Sequence, residues 1–467
     1  MAAKRITAYN AIIKEPQMDN RSSTPAPAGA VLNAIGKSYP STGLSLAIWG
    51  IAALFYLTVF YQLVAPAMMR AELMHDFGVD AGGFGEILMW YLTPYVLLQI
   101  PVGVFIDCWG AKKVLICGAL LSAAGSFVFG SAQTFGIACL GRALIGAANA
   151  TGWLVLMKLL GAWFPAKRFA MLTGLALLWG NLGSVAGQAP LRMAIERFSW
   201  RPVALVSGAI IFAIAILALA FIKNDPTELG HLSYGPDVTK QPKRSALAGL
   251  RAGWQGFKGV FRYKNTWLIF FAQGGIVGPI LTFTGAWGAP YLSVRYGLIT
   301  RDAALVCSLM TLCWAGASPF FGQLSQKIGR RKPLYIGGVV VACSGWLTVY
   351  YTNVPLAAFV VIAAIASAAT GCVIIGFALG KESVSPRFLG TIAGAVTMGN
   401  MIGPNILQPA VGRVLKMQWS GKIVNGVHAY GLPEFQTAFL MLVGWSILAI
   451  ILLSLTTESH NKPMVKD

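Results

Sequence analysis

Twelve long apolar stretches divide this chain of 467 residues, near 44–66, 83–106, 113–131, 135–160, 169–194, 203–222, 266–293, 303–321, 333–351, 355–380, 388–414 and 436–456. A helix needs roughly 20 apolar residues to cross about 30 Å of bilayer hydrocarbon, and most of these stretches have that length. Barrel strands are shorter and alternate in polarity, so they are excluded as the spanning element. The expected fold class is an all-α membrane protein with twelve transmembrane helices. Charged residues make up only 11% of the chain, against roughly 25% in a soluble domain. The 53 glycines suit helices that approach closely in lipid.

The two halves match at a constant offset of 219 residues. Gly103, Gly110, Lys113 and Leu115 recur as Gly322, Gly329, Lys332 and Leu334. Ala150-Thr151-Gly152 recurs as Ala369-Thr370-Gly371, and Arg168-Phe169 as Arg387-Phe388. Gly180-Asn181 and Pro190 recur as Gly399-Asn400 and Pro409. An ungapped offset across separate segments implies internal duplication into two six-helix repeats. Parallel repeats can hold a solute site between them and rock around it.

The net charge of +20 suggests nucleic acid, but its distribution excludes that reading. The basic residues lie in alternate loops rather than on one face. One side, with both tails, carries 25 of the 36 Lys and Arg, and the other carries seven. This asymmetry places both termini in the cytoplasm. The expected organisation begins with a disordered cytoplasmic tail at 1–43 and a six-helix bundle at 44–222. A cytoplasmic loop at 223–264 then leads to a second bundle at 265–456 and a short cytoplasmic tail at 457–467. Residues near 245–262 can form an amphipathic surface helix. The outer loops hold no Asn-x-Ser/Thr sequon, which leans toward a bacterial inner membrane.

The loop after helix 2 reads Gly103-Val-Phe-Ile-Asp107-Cys-Trp-Gly110-Ala-Lys112-Lys113. Its glycines suit a tight turn, and its carboxylate and lysines can lock neighbouring helices. It resembles the signature loop of the major facilitator superfamily, G-x-x-x-D-(R/K)-x-G-(R/K)-(R/K), with Cys108 where a basic residue is usual. The second copy runs Gly322-Gln-Leu-Ser-Gln326-Lys327-Ile-Gly329-Arg330-Arg331-Lys332, with Gln326 replacing the acid. The resemblance covers nearly the whole chain. It implies a major facilitator fold and an inward-side gate formed by Gly103, Asp107, Gly110, Lys112, Lys113, Gly322, Gly329, Arg330 and Arg331. The segment Trp163–Arg168 resembles the helix 4–5 loop of organic-anion and oxalate/formate-like members.

Offsets of 7 and 11 put Arg142, Asn149 and Trp153 on one face of helix 4. An arginine inside a membrane normally faces a cavity or a partner. The resemblance allows a role in proton transfer, as in drug–proton antiporters. The residue itself equally allows binding of an anion, whose carboxylate the guanidinium fork matches. Helix 5 carries a second polar stripe, Asn181, Ser184, Gln188 and Arg192. Tyr56 and Gln62 in helix 1, Gln273 in helix 7 and Asn405 in helix 11 complete the candidate cavity residues. Glu86 is the candidate proton-coupling acid.

No Gly-x-x-x-x-Gly-Lys-Ser/Thr loop, catalytic triad or metal-ligand cluster is present in the sequence. The chain is therefore read as a secondary transporter rather than an enzyme, with no cofactor and no metal site. Its expected partners are a small-molecule substrate and the lipid bilayer, with no nucleic acid, and it is expected to function as a monomer. The excess of positive charge in the membrane favours a small organic anion or its metal chelate. A proton-linked exporter of hydrophobic compounds and a non-transporting scaffold or sensor of the same fold are the rivals.

Overall fold

The computed structural model describes residues 38–235, 246–385, 388–424, 426–460 and 462–465. The expected disordered tail up to residue 37, part of the basic central loop and Arg387 lie outside the described residues.

The described residues are almost entirely helical. Helix 1 spans Thr42–Met68 and helix 3 Ala111–Gly130. Helix 4 runs over Phe135–Trp163 and helix 6 over Trp200–Phe221. Helices 7 to 10 are Lys264–Tyr296, Thr300–Ile328, Lys332–Tyr351 and Leu356–Glu382. Helix 11 spans Leu389–Met417 and helix 12 Leu432–Ser454. Helices 2 and 5, expected as continuous, are broken, and helix 4 is briefly interrupted at Ala150. Helix 2 bends by 48° between Ala81–Leu97 and Gln99–Trp109. Pro101 lacks an N–H, so the ladder fails one turn before it. Helix 5 divides into Ala166–Ala186 and Ala189–Phe198 around Gly187 and Gln188, with Pro190 opening the second segment.

Among the described residues nine helices are long and apolar enough to span a membrane, or ten with the bent helix 2. Helices 5 and 11 are long but more polar. Glycine with Asn181 and Ser184 in one, and with Asn400, Asn405 and Gln408 in the other, lowers their hydropathy. Polar residues at membrane depth must face protein or a cavity.

The repeat is visible in the packing. In the first half helix 1 packs on 5, 2 on 4, and 3 on 4 and 6. In the second half helix 7 packs on 11, 8 on 10, and 9 on 10 and 12. Glycines make the tightest of these seams. A Cβ on Gly183 would overlap the Leu57 carbonyl of helix 1, and one on Gly403 would overlap the Gly274 carbonyl of helix 7. The halves meet along helix 2 with 11, helix 5 with 8 and helix 1 with 7.

The two ends of the molecule differ. At the far end, away from the Gly103–Lys113 loop, apolar packing runs unbroken from Phe84 and Leu88 into Trp287, Val411 and Leu415 of the other half. Asp80 caps helix 2 through Gly83 N–H and pairs with Lys416 Nζ at 2.9 Å across the halves. Burial opposes ionisation of Asp80, but Lys416 and the Gly83 and Gly82 N–H groups outweigh it, so its carboxyl lies below the usual range. The Tyr430 hydroxyl accepts the Ala81 N–H at 3.0 Å. At the basic end the ion pairs between described residues each stay within one half. There the helix Ala246–Val260 lies across both, with Gly249 against Val104 and Gly256 against Thr391.

Candidate functional site

Helix 4 can sink into its half because Gly141 and Gly146 lack side chains. A Cβ on Gly141 would meet Phe129 at 2.7 Å, and one on Gly146 would overlap the Tyr91 carbonyl. Arg142 is carried in with it and is only 2% exposed. Its Nη1 donates to the Gln62 carbonyl at 2.8 Å, and the guanidinium lies 4.5 Å from the centre of the Tyr91 ring. Arg142 Nε is buried without a partner. Two arginines are buried among the described residues. Arg331 pairs with Glu382 at 2.8 Å, whereas Arg142 has no carboxylate partner among the described residues and otherwise lies by the Phe129 ring and Cys139.

A neutral network continues from Arg142 inside the same half. Asn149 Nδ2 donates to Gln62 Oε1 at 2.9 Å and to the Tyr91 hydroxyl at 3.2 Å. Gln62 Nε2 donates to Ser126 Oγ at 2.6 Å, and Ser122 Oγ donates toward Gln62 Oε1 and Asn149 Oδ1. A cavity of about 30 Å³ lies beside it, lined by Tyr61, Gln62, Ser126, Arg142 and Ser207 among others. The helical spacing brings Arg142 and Asn149 together as expected, but they face the interior of one half. Trp153 lies past the interruption of helix 4 at Ala150 and packs on Tyr56, ring centres 5.5 Å apart. Ser122, Ser126 and Tyr91 were not among the sequence candidates. The four-residue spacing of the two serines was the available signal.

Helix 5 corrects the expected polar stripe. Its break at Gly187 and Gln188 puts Arg192 in a separate segment from Asn181 and Ser184. Arg192 sits at the far end, with Nη1 2.6 Å from Glu72 and Nε 3.0 Å from Glu196. It lines a recess of about 520 Å³ together with Arg70, His75, Trp200 and His428. It is therefore a paired end residue, not a free charge at the midplane.

Several other candidates join the halves. Gln188 is fully buried; it accepts from Ser308 Oγ at 3.0 Å and approaches Thr311 Oγ1 at 3.4 Å. Thr93 donates to Asn405 Oδ1 at 3.0 Å. Gln273 stays within the second half, donating to the Val373 carbonyl at 3.2 Å with its own Oε1 unpaired. Asn181 Oδ1 and Asn400 Oδ1 are both buried and unpaired, at positions related by the 219-residue offset. Gln99, at the bend of helix 2, is buried beside Tyr95 and was not anticipated. Glu86 is half-buried and has no hydrogen bond or ion pair among the described residues.

The two signature loops are built differently. Gly110 and Gly329 have φ of 86° and 73°, values that a side chain disfavours. Gly110 also packs against Asn224, whose Oδ1 accepts the Lys112 N–H at 2.8 Å. Asp107 pairs with Lys158 of helix 4 at 2.8 Å, both well exposed. Lys113 and Arg330 are exposed, and Gly103 and Gly322 face open or loosely packed space. In the second loop Arg331 reaches Glu382 and Ser325, while Glu458 accepts the N–H groups of Arg331 and Lys332. Burial pushes the Glu458 carboxyl up, but the N–H groups of Arg331, Lys332, His460 and Ser459 prevail and hold it below the usual range.

Comparison with known proteins places this geometry. The family model described as Major Facilitator Superfamily matches residues 48–404 and 281–467. A probable galactarate/D-glucarate transporter of Escherichia coli K12 is 24% identical over 422 residues, covering 84% of this chain and 90% of that one. A probable sulfoacetate transporter of Cupriavidus necator is 21% identical over 295 residues, covering 61% of this chain and 65% of the relative. A solved bacterial homologue of the human lysosomal transporter Spinster, inward-facing and occupied, superposes with a TM-score of 0.68 at 15% identity, covering 89% of this chain and 97% of that one.

Proposed function

Since the chain belongs to the major facilitator superfamily and is a membrane transporter, we propose that its cargo is a small organic anion, moved by alternating access between the two halves. The observation that carries this reading is Arg142, a buried cation with no carboxylate among the described residues against it. An isolated buried charge is costly, and a substrate carboxylate supplies the missing partner. The unpaired Asn181 and Asn400 oxygens suit donor hydroxyls on such a substrate. Relatives named for galactarate/D-glucarate and sulfoacetate agree with that class. The tied far end and the weaker joining of the basic end support a state closed on one side. The seams of helix 2 with 11 and helix 5 with 8 are where the halves would rock.

In proteoliposomes, labelled galactarate, tartrate or sulfoacetate is expected to enter saturably, and the uncharged polyol galactitol is not. Equal uptake of the polyol, or uptake of no anion, overturns the reading. In the same assay Asp107→Asn is expected to slow uptake without unfolding the protein. Its pair with Lys158 is exposed and such pairs contribute about 0–1 kcal/mol to stability, so the effect falls on the balance of states. An unchanged rate makes the loop a topological anchor only.

The basic end is assigned to the cytoplasm of a bacterial inner membrane. In a cysteine-free background, Ser420→Cys is expected to react with an impermeant maleimide added outside cells, and Arg251→Cys only after lysis. The reverse pattern overturns the orientation.

A further inference from the structure

An apolar cleft of about 560 Å³ opens on the lipid-facing side of the first half, between helix 1, the second segment of helix 5 and helix 6. Leu57, Leu191, Phe198, Val206 and Ile210 are among its walls. At its floor the Tyr61 hydroxyl meets Ser207 Oγ at 2.9 Å. Tyr61, Val203 and Ser207 also line the 30 Å³ cavity beside Arg142. The Tyr61–Ser207 pair, with Val203, thus lies between the cleft and an arginine whose Nε has no partner.

The two spaces are complementary in chemistry. The cleft accepts any alkyl chain, and lipid tails compete for it on equal terms, because hydrocarbon gains little by leaving hydrocarbon. Selection must come from the polar end. The small cavity has room for about two waters or the head of one carboxylate. Ser207 donates to the Val203 carbonyl at 2.8 Å, so once the pair is parted the Tyr61 hydroxyl is the one free to donate to that carboxylate alongside the guanidinium.

We propose that the cleft and cavity form one site for a membrane-dissolved carboxylate with an apolar tail, of the fatty-acid class, its tail in the cleft and its head on Arg142. The proposal rests on the reading of Arg142 as an anion-binding residue, and adds to it an approach from the lipid.

The test uses the full chain in nanodiscs at alkaline pH, with palmitic acid carrying a terminal diazirine and, separately, its methyl ester. After irradiation, adducts are mapped by peptide mass spectrometry. The acid is expected to label segments 57–61 and 186–211 at least tenfold more than the ester. Arg142→Gln is expected to remove that excess while ester labelling persists. Ser207→Leu, which fills the step between cleft and cavity, is expected to remove it too, and decides the matter if Arg142→Gln does not fold. Equal labelling by acid and ester, or an excess that survives both substitutions, overturns the proposal. If the excess is absent but uptake of a polar anion still depends on Arg142, only the lipid approach fails. If neither depends on Arg142, the anion-binding reading fails with it.

Discussion

Arg142→Gln is expected to abolish saturable anion uptake in proteoliposomes while the purified protein remains monodisperse. The guanidinium holds one carbonyl and two ring faces, and no carboxylate among the described residues. Replacing it with a neutral amide removes a buried charge and leaves no buried anion behind, so the fold has little to lose. The substrate has much to lose. Breaking a buried pair by deleting one partner costs about 3–5 kcal/mol, which corresponds to a loss of affinity of roughly a hundredfold or more. Arg142→Lys is expected to restore uptake only in part, because an ammonium lacks the planar fork and would sit differently over Tyr91. The proton-linked reading makes another forecast for the same variant. Equilibrium binding would stay near the wild-type value, and uptake would no longer follow an imposed pH gradient. Unchanged binding and unchanged gradient-driven uptake would make Arg142 a packing residue.

Gly183→Val and Gly403→Val are each expected to prevent recovery of a monodisperse protein in mild detergent, or to lower its melting temperature by several degrees. Both glycines sit where one helix backbone rests on another. An added Cβ would overlap a main-chain carbonyl, of Leu57 in one case and Gly274 in the other. Backbone cannot rotate aside as a side chain can, so the helices must separate. Overpacking of this kind costs about 1–3 kcal/mol and occasionally more. Gly444→Val provides the control, since a Cβ there meets nothing within 4 Å. If Gly444→Val behaves as the other two do, the damage comes from valine in a membrane helix and not from the close approach.

Hydrophobicity along the chain was sufficient to determine that this protein is a twelve-helix bundle in lipid, because each span must satisfy its own backbone hydrogen bonds whatever its neighbours do. The duplication was equally legible, since Gly110 and Gly329 recur where a positive φ is required. The pairing of Arg192 was only half legible. Glu196 lies one turn on in sequence, but Glu72 reaches it at 2.6 Å from 120 residues away. The break at Gly187–Gln188 was signalled by Pro190, yet its consequence, Arg192 in a segment apart from Asn181 and Ser184, needed the folded chain. Arg142 shows the same division. Its helix and the face it shares with Asn149 came from spacing. That the face points into one half, toward Gln62 and Tyr91 rather than across to the other half, was decided by Gly141 and Gly146 letting helix 4 sink against its neighbours. Periodicity assigns residues to a face of a helix. Which neighbour that face meets depends on how closely distant helices can approach, and that is settled only when all of them pack together.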